Sequence, residues 1–158
     1  MFRIGFGSDT HRLASGDGLW LGGKFIKCEL KAVGHSDADC LLHAITDAVL
    51  GAAGLGDIGT HFPDSDEAFR GRESRFFLRK AVEMAGSAGW LISNIDCVIH
   101  LEKPKLRPYI SEIVLNIAEI VSIPADSVNI KAKTGEGIGP IGNSEIIKAE
   151  AVCLLQKR

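Results

Sequence analysis

Asp9-Thr10-His11 falls within a run, Ile4 to Leu13, that reads as a β-strand. On a strand, residues i and i+2 project from one face, so the Asp9 carboxylate and the His11 imidazole aim at a common point. His43 is the best candidate for a third ligand. It lies among apolar neighbours on a predicted helix, one turn after Asp39 and one turn before Asp47. Either carboxylate is placed to accept the second ring N–H and fix the tautomer. Two histidines and one carboxylate leave the fourth position of a tetrahedral Zn²⁺ open, which is the pattern of a catalytic rather than a structural zinc. Taken alone, D-x-H is also what a satisfied core histidine and a turn aspartate look like.

Other stretches offer anion chemistry. Gly34-His35-Ser36-Asp37-Ala38-Asp39 precedes the same helix, whose N-terminal amides and dipole suit a phosphate, with His35 and Ser36 as donors; Ser36 or Asp37 is the expected cap. Lys103-Pro104-Lys105-Leu106-Arg107 suits phosphate or simply solvates a loop, and Lys131 to Gly137 contains Glu136, an oxygen ligand for a hard cation that would bring phosphate oxygens with it. Two nucleotide-like patterns fail on context. Gly18-x4-Gly23-Lys24 has Phe25 where a metal-binding hydroxyl belongs, and Gly137-x-Gly139-x-x-Gly142 encloses Pro140 and leaves too little chain for a βαβ unit.

The elements that must position these groups follow from periodicity. Leu19 to Leu21 and Phe25 to Cys28 read as a hairpin about Gly22-Gly23. Leu42, Ile45, Val49 and Ala52 repeat at helical spacing and end at Gly54. Residues 59–72 read as a polar loop, Ser74 as the cap of a second helix ending near Gly89, Leu91 to Leu101 as a strand, and Arg107 to Ile123 as a third helix. Val128 to Ala132 and Ile146 to Leu155 complete the strands. The expectation is an α/β (α+β) fold in one domain spanning residues 1–158, a mixed sheet with helices packed on one face. The other face then needs a cover.

Composition sets the outer limits. The 158 residues are 46% hydrophobic and 24% charged, with a formal net charge of −2. No basic field exists to hold nucleic acid or an anionic membrane, and no apolar run reaches the roughly 20 residues of a membrane span. The four cysteines, Cys28, Cys40, Cys97 and Cys153, form no CxxC pair and read as reduced structural thiols. Met1-Phe2-Arg3-Ile4-Gly5 runs straight into the first strand without a signal peptide, so a cytoplasmic location is expected.

In order, Gly7-x-Asp9-x-His11, His35-Ser36-Asp37-x-Asp39, His43 to Asp47, Gly51 to Gly59, Phe62-Pro63-Asp64, Lys103-Pro104-Lys105 and Lys131-Ala132-Lys133-Thr134-x-Glu136 resemble the 2-C-methyl-D-erythritol 2,4-cyclodiphosphate synthase family. The match runs from the first strand to the last. It implies conversion of 4-diphosphocytidyl-2-C-methyl-D-erythritol 2-phosphate to the cyclodiphosphate plus CMP, in non-mevalonate isoprenoid biosynthesis. The resemblance further implies Zn²⁺ on Asp9, His11 and His43, and Mg²⁺ or Mn²⁺ at Glu136. His35 and Ser36 would hold the 2-phosphate, and Thr134 the other phosphates; His35 and Thr134 are the expected catalytic residues. Asp57, Gly59, Phe62 and Asp64 would hold the methylerythritol. Leu101, Pro104, Lys105, Leu106, Ala132 and Lys133 would hold the cytidine, largely through backbone. A homotrimer is implied as well, with the sheets facing a common axis and the sites between subunits.

Gly135 departs from the family pattern, standing where Thr or Asn is more usual, a change expected to loosen its loop. Pro140 and Asn143 replace a Phe and an Arg near that axis. The same residues also admit a zinc-dependent phosphoesterase and a non-catalytic trimer that binds cytidine nucleotides.

Overall fold

The computed structural model describes every residue except His35, Asp64 and Arg70. Its elements are β1 (Phe2–Ser15), β2 (Gly18–Leu21), β3 (Lys24–Lys27), β4 (Leu30–Val33), α1 (Cys40–Ala53), α2 (Ile58–His61), α3 (Ser74–Ser87), β5 (Trp90–His100), α4 (Ile110–Val121), β6 (Val128–Lys133), α5 (Gly139–Gly142) and β7 (Ile146–Lys157). Five strands form one sheet in the order β4-β1-β7-β5-β6, while β2 and β3 pair as a separate hairpin. Among the described residues, only β5 and β6 run parallel. Their connection passes through α4, as a parallel pair requires a crossover.

Alternation along the strands decides which face is covered. Gly5, Gly7 and Leu13 of β1 and Ile147, Ala149, Ala151, Cys153 and Leu155 of β7 are buried under the helices. Phe2, Ile4 and Phe6, pointing the other way, are 65%, 74% and 62% exposed. Toward the other edge of this open face the residues are charged: Glu150 accepts from Lys148 (2.7 Å) and His100 (3.0 Å), and Asp96 pairs with Lys131. The expected mixed α/β architecture with helices on one face is therefore present. Leu41, Leu42, Ile45 and Leu50 of α1, Leu78 of α3, and Ile113 and Ile117 of α4 have no exposed surface. At about 1.5–3 kcal/mol for each such side chain, burial of these stripes holds the helices to the sheet.

One contact sets the geometry of the site. A Cβ at Gly5 would stand 1.8 Å from the Ala48 carbonyl oxygen, and one at Gly7 would stand 2.0 Å from that of Ala44. Glycine at both positions lets the α1 backbone lie directly against β1, which brings His43 down beside Asp9 and His11.

Several local expectations are corrected. β4 was not expected, because four residues of mixed polarity carry no periodic signal. The cap of α1 is Asp39, neither Ser36 nor Asp37. Asp39 is fully buried, and its carboxylate accepts from Leu42 N (3.0 Å), Gly22 N (2.9 Å) and Gly23 N (2.7 Å), tying the hairpin to the helix. Burial pushes its carboxyl above the ordinary value, against the pull of these three backbone bonds. Ser74 is the first residue of α3 rather than its cap. The 59–72 loop contains most of α2 and a 3₁₀ turn at Glu67–Phe69, and the segment expected to be helical from Arg107 opens as a 3₁₀ turn before α4.

Nor is the loop at Gly135 loosened. A Cβ there would meet Gly142 N at 2.4 Å, so a tight glycine contact closes the loop where a bulkier residue would force it open. Nearby, the Asn143 amide donates to Glu145 (3.2 Å). Three cysteines are buried and all four are free, with burial pushing the Cys97 thiol up to about 12 and Cys153 up to about 11. Among the described residues, no helix is long and apolar enough to cross a membrane.

Candidate active site

Asp9 and His11 point from β1 toward α1, and His43 points from the first turns of α1 toward them. His11 Nε2 lies 2.9 Å from Asp9 Oδ2, His43 Nδ1 lies 3.1 Å from the same oxygen, and the two ring nitrogens are 3.5 Å apart. Tetrahedral zinc with bonds of about 2.0–2.1 Å spaces its ligand atoms about 3.3 Å apart. The cluster thus fits such an ion with little rearrangement, and its N₂O donor set is one that zinc accepts. Each ring is also turned correctly. His11 Nδ1 is 3.1 Å from the Val33 carbonyl, which makes Nδ1 the donor there and leaves Nε2 as the nitrogen that faces the cluster.

The electrostatics fit a site that gathers positive charge. Burial opposes ionisation of Asp9, but the hydrogen bonds and charges of His11 and His43 outweigh it and hold its carboxyl well below the ordinary range. Burial likewise opposes protonation of His11, and the Asp9 hydrogen bond and charge overcome it, with a net shift upward.

The cluster lies in a pocket of about 880 Å³ that is also lined by Ser36, Gly59, Phe62 and Phe77. That volume suits a small polar ligand. An aromatic group builds one wall, with Phe62 meeting Phe69 and Phe77 at ring centroid distances of 5.4 and 5.1 Å. Of the residues expected to hold methylerythritol, Gly59 and Phe62 line this pocket. Asp57 caps the short α2 beside it, accepting from Thr60 N (2.8 Å) and Thr60 Oγ1 (2.7 Å). His35 and Asp64 lie outside the described residues.

The second group of expected residues lies elsewhere. Pairing runs Asp9 to Ala149, Ala149 to Ile99 and Ile99 to Ala132, so Ala132 shares a row and a face with Asp9 but stands three strand spacings away, about 14 Å. Thr134 donates to Glu136 (2.7 Å), and Gly135 N to Glu102 (2.8 Å). Glu136 has a φ of 52°, a left-handed conformation that non-glycine residues seldom adopt and that clusters at functional loops. Leu101 and Leu106 are buried, and their backbones are engaged: Leu101 N donates to Lys133 O (2.9 Å) and Leu106 O accepts from Tyr109 N (2.9 Å). Lys133 ends β6 directly before this loop, Pro104 lines a separate pocket with Lys103 and Ser144, and neither they nor Lys105 line the pocket of the histidines.

Sequence spacing misassigned the outer partners of His43. Asp39 is committed to the hairpin, and Asp47 accepts from Ile58 N (2.8 Å). His43 Nε2 instead meets Ser74 Oγ at 2.8 Å and Ser36 Oγ at 3.4 Å. Ser74 lies 31 residues downstream, and only the docking of α3 reveals it.

Comparison with known proteins places the whole chain in a family. The model of the YgbB family matches residues 2–156. A 2-C-methyl-D-erythritol 2,4-cyclodiphosphate synthase of Bordetella avium (strain 197N) is 50% identical over 157 residues, covering 99% of this chain and 97% of its own. A CDP-bound structure of 2C-methyl-D-erythritol-2,4-cyclodiphosphate synthase superimposes with a TM-score of 0.91 at 40% identity, covering 98% of this chain and 100% of that one. The CDP complex of IspF from Plasmodium falciparum gives a TM-score of 0.88 at 34% identity, covering 99% and 97%. Likeness of this degree, end to end in both sequence and fold, means that the chain belongs to the YgbB family, that of the 2-C-methyl-D-erythritol 2,4-cyclodiphosphate synthases.

Proposed function

We propose that the protein converts 4-diphosphocytidyl-2-C-methyl-D-erythritol 2-phosphate into 2-C-methyl-D-erythritol 2,4-cyclodiphosphate and CMP. The 2-phosphate oxygen attacks the β-phosphorus of the same molecule, the bond from that phosphorus to the bridging oxygen breaks, and CMP leaves with the electron pair. Such a step needs no protein nucleophile. Catalysis is then positioning and charge stabilisation.

The observation that carries this reading is the convergence of Asp9, His11 and His43 in a pocket also lined by Ser36, Gly59 and Phe62, in a chain of this family. Asp9, His11 and His43 would hold Zn²⁺ and Glu136 would hold Mg²⁺ or Mn²⁺, Lewis acids that polarise phosphate oxygens and neutralise the departing nucleotide. Ser36, with His35, would hold the 2-phosphate. Asp57, Gly59, Phe62 and Asp64 would enclose the methylerythritol. Thr134 would donate to the diphosphate, while Pro104, Lys105, Ala132 and Lys133, with the backbone near Leu101 and Leu106, would hold the cytidine.

The same reading includes a homotrimer with sites between subunits, in the cytoplasm. Two observations support the trimer. The open sheet face carries exposed Phe2, Ile4 and Phe6, an apolar area of the kind that marks an interface. Ala132 also stands about 14 Å from Asp9 within one chain, three strand spacings along the same row, and the corresponding loop of a neighbour would complete the site.

One assay tests the activity: incubate purified protein with the diphosphocytidyl substrate, Zn²⁺ and Mg²⁺, and follow products by phosphorus NMR. Equimolar CMP and cyclodiphosphate are expected. Release of inorganic phosphate instead, or CMP binding without turnover, would overturn the reading.

A further inference from the structure

We propose that Asp37 and Ser74 are positioning residues that lock the tautomer of His43 and so prepare it as a metal ligand. The inference rests on the zinc reading of the Asp9, His11 and His43 cluster.

The argument is a count of protons. Ser74 is fully buried, and its hydroxyl is within hydrogen-bond reach of both Asp37 Oδ1 and His43 Nε2, the latter at 2.8 Å. A hydroxyl has one proton to give, and a carboxylate can only accept. The Ser74 proton therefore goes to Asp37, and Ser74 Oγ accepts from His43 Nε2–H. With one proton fixed on Nε2, Nδ1 is the nitrogen left for a metal: it faces Asp9 Oδ2 at 3.1 Å, to which it can donate in the metal-free chain and from which a metal would displace that proton, and it lies 3.5 Å from His11 Nε2. Ser36 Oγ, at 3.4 Å from Nε2, is a more distant alternative acceptor and is itself the acceptor for Ala38 N at 3.2 Å.

Asp37 is held firmly enough for this task. Its Oδ2 accepts the backbone N–H of Ser74 (3.0 Å) and its Oδ1 that of Asp39 (3.3 Å). It thus satisfies the first amide of α3, whose own cap position, Glu73, gives no side-chain capping bond. Ala38, with φ of 54°, turns the chain between two successive carboxylates: Asp37 faces α3 and Asp39 faces the hairpin. The two histidines are consequently oriented by different means. His11 relies on a main-chain carbonyl that no substitution removes, whereas His43 relies on two side chains.

Asp37→Asn separates positioning from capping. Asparagine caps helices about as well as aspartate, so a capping role alone predicts unchanged metal binding. Its amide, however, can donate to Ser74 Oγ and turn the hydroxyl proton toward His43, favouring the Nδ1–H tautomer that has no lone pair for the metal. Zinc dissociation constants, measured by competition with a chromophoric chelator, are expected to rise about 10–100-fold in Asp37→Asn and in Ser74→Ala. Ring ¹⁵N shifts of His43 in the metal-free Asp37→Asn protein should show loss of the Nε2 proton that the wild type retains, with protonation confined to Nδ1. If Ser74→Ala does not fold, Asp37→Asn decides alone. Wild-type zinc affinity and an unmoved tautomer in folded Asp37→Asn would overturn the proposal. His11→Ala serves as the control: if it too retains zinc, the metal reading itself has failed.

Discussion

The pocket around Asp9 and the loop around Glu136 are built in opposite ways. The first is complete within one chain: a strand and a helix, separated by no side-chain volume at Gly5 and Gly7, bring three ligand atoms within 3.5 Å of one another. The second sits at the end of the edge strand β6, where Thr134 and Glu136 meet each other and the residues around them are largely exposed. A site that must hold a metal before substrate arrives needs preorganisation by rigid elements. A site that closes on a long substrate can be assembled from two surfaces.

The largest effect that would sharpen this contrast is expected from the self-contained half. His43→Ala should lose its bound zinc, seen by elemental analysis, and activity should fall about 10³-fold or more, as removal of several kcal/mol of charge stabilisation implies. A full equivalent of zinc retained by the variant would break the assignment. Glu136→Gln is expected to be gentler, about 10²-fold in kcat, with zinc content unchanged. Loss of zinc from it would show that the two halves are not independent.

Mixing tests the assembly. His11→Ala and Thr134→Ala chains, each inactive, are expected on co-refolding at equal ratio to regain activity in about a quarter of interfaces, because one interface in four pairs two intact halves in a cyclic trimer. No recovery in verified mixed trimers would place the whole site in one chain.

The smallest effect is on pH dependence. His11 is held above its ordinary value of 6.5 in the metal-free chain, so its pairing with Asp9 stabilises that fold fully below pH 6.5, and the contribution is lost as pH rises through the raised value. Zinc needs the unprotonated ring. The melting-temperature gap between zinc-loaded and metal-free protein should therefore widen from pH 6 to pH 8.5; a gap that narrows would contradict the pairing.

Sequence spacing was sufficient where a function is carried by one element and its neighbour in the fold. The strand alternation placed Asp9 and His11 on one face, and helical spacing put His43 toward the core. It failed where a contact depends on which elements dock. Asp39 and Asp47 stand one turn from His43, yet their carboxylates are drawn to the amides of Gly22 and Gly23 and of Ile58, while the partner that His43 does take comes from α3. The Gly135 loop misled for a similar reason, since its tightness comes from Gly142 and is invisible in local propensity.

The turn at Ala38 has a consequence for how the protein folds. Asp39 closes bonds to residues 16 and 17 positions away, whereas Asp37 waits for a serine 37 positions downstream. The hairpin and α1 can thus consolidate on nearby contacts before α3 arrives, and short loops close at lower entropic cost. His43 receives its fixed partner only when α3 docks. Metal capture would then be a late event, sensing the arrival of the third helix rather than nucleating the first, and the amides at the start of α3 should gain the most hydrogen-exchange protection when zinc is added.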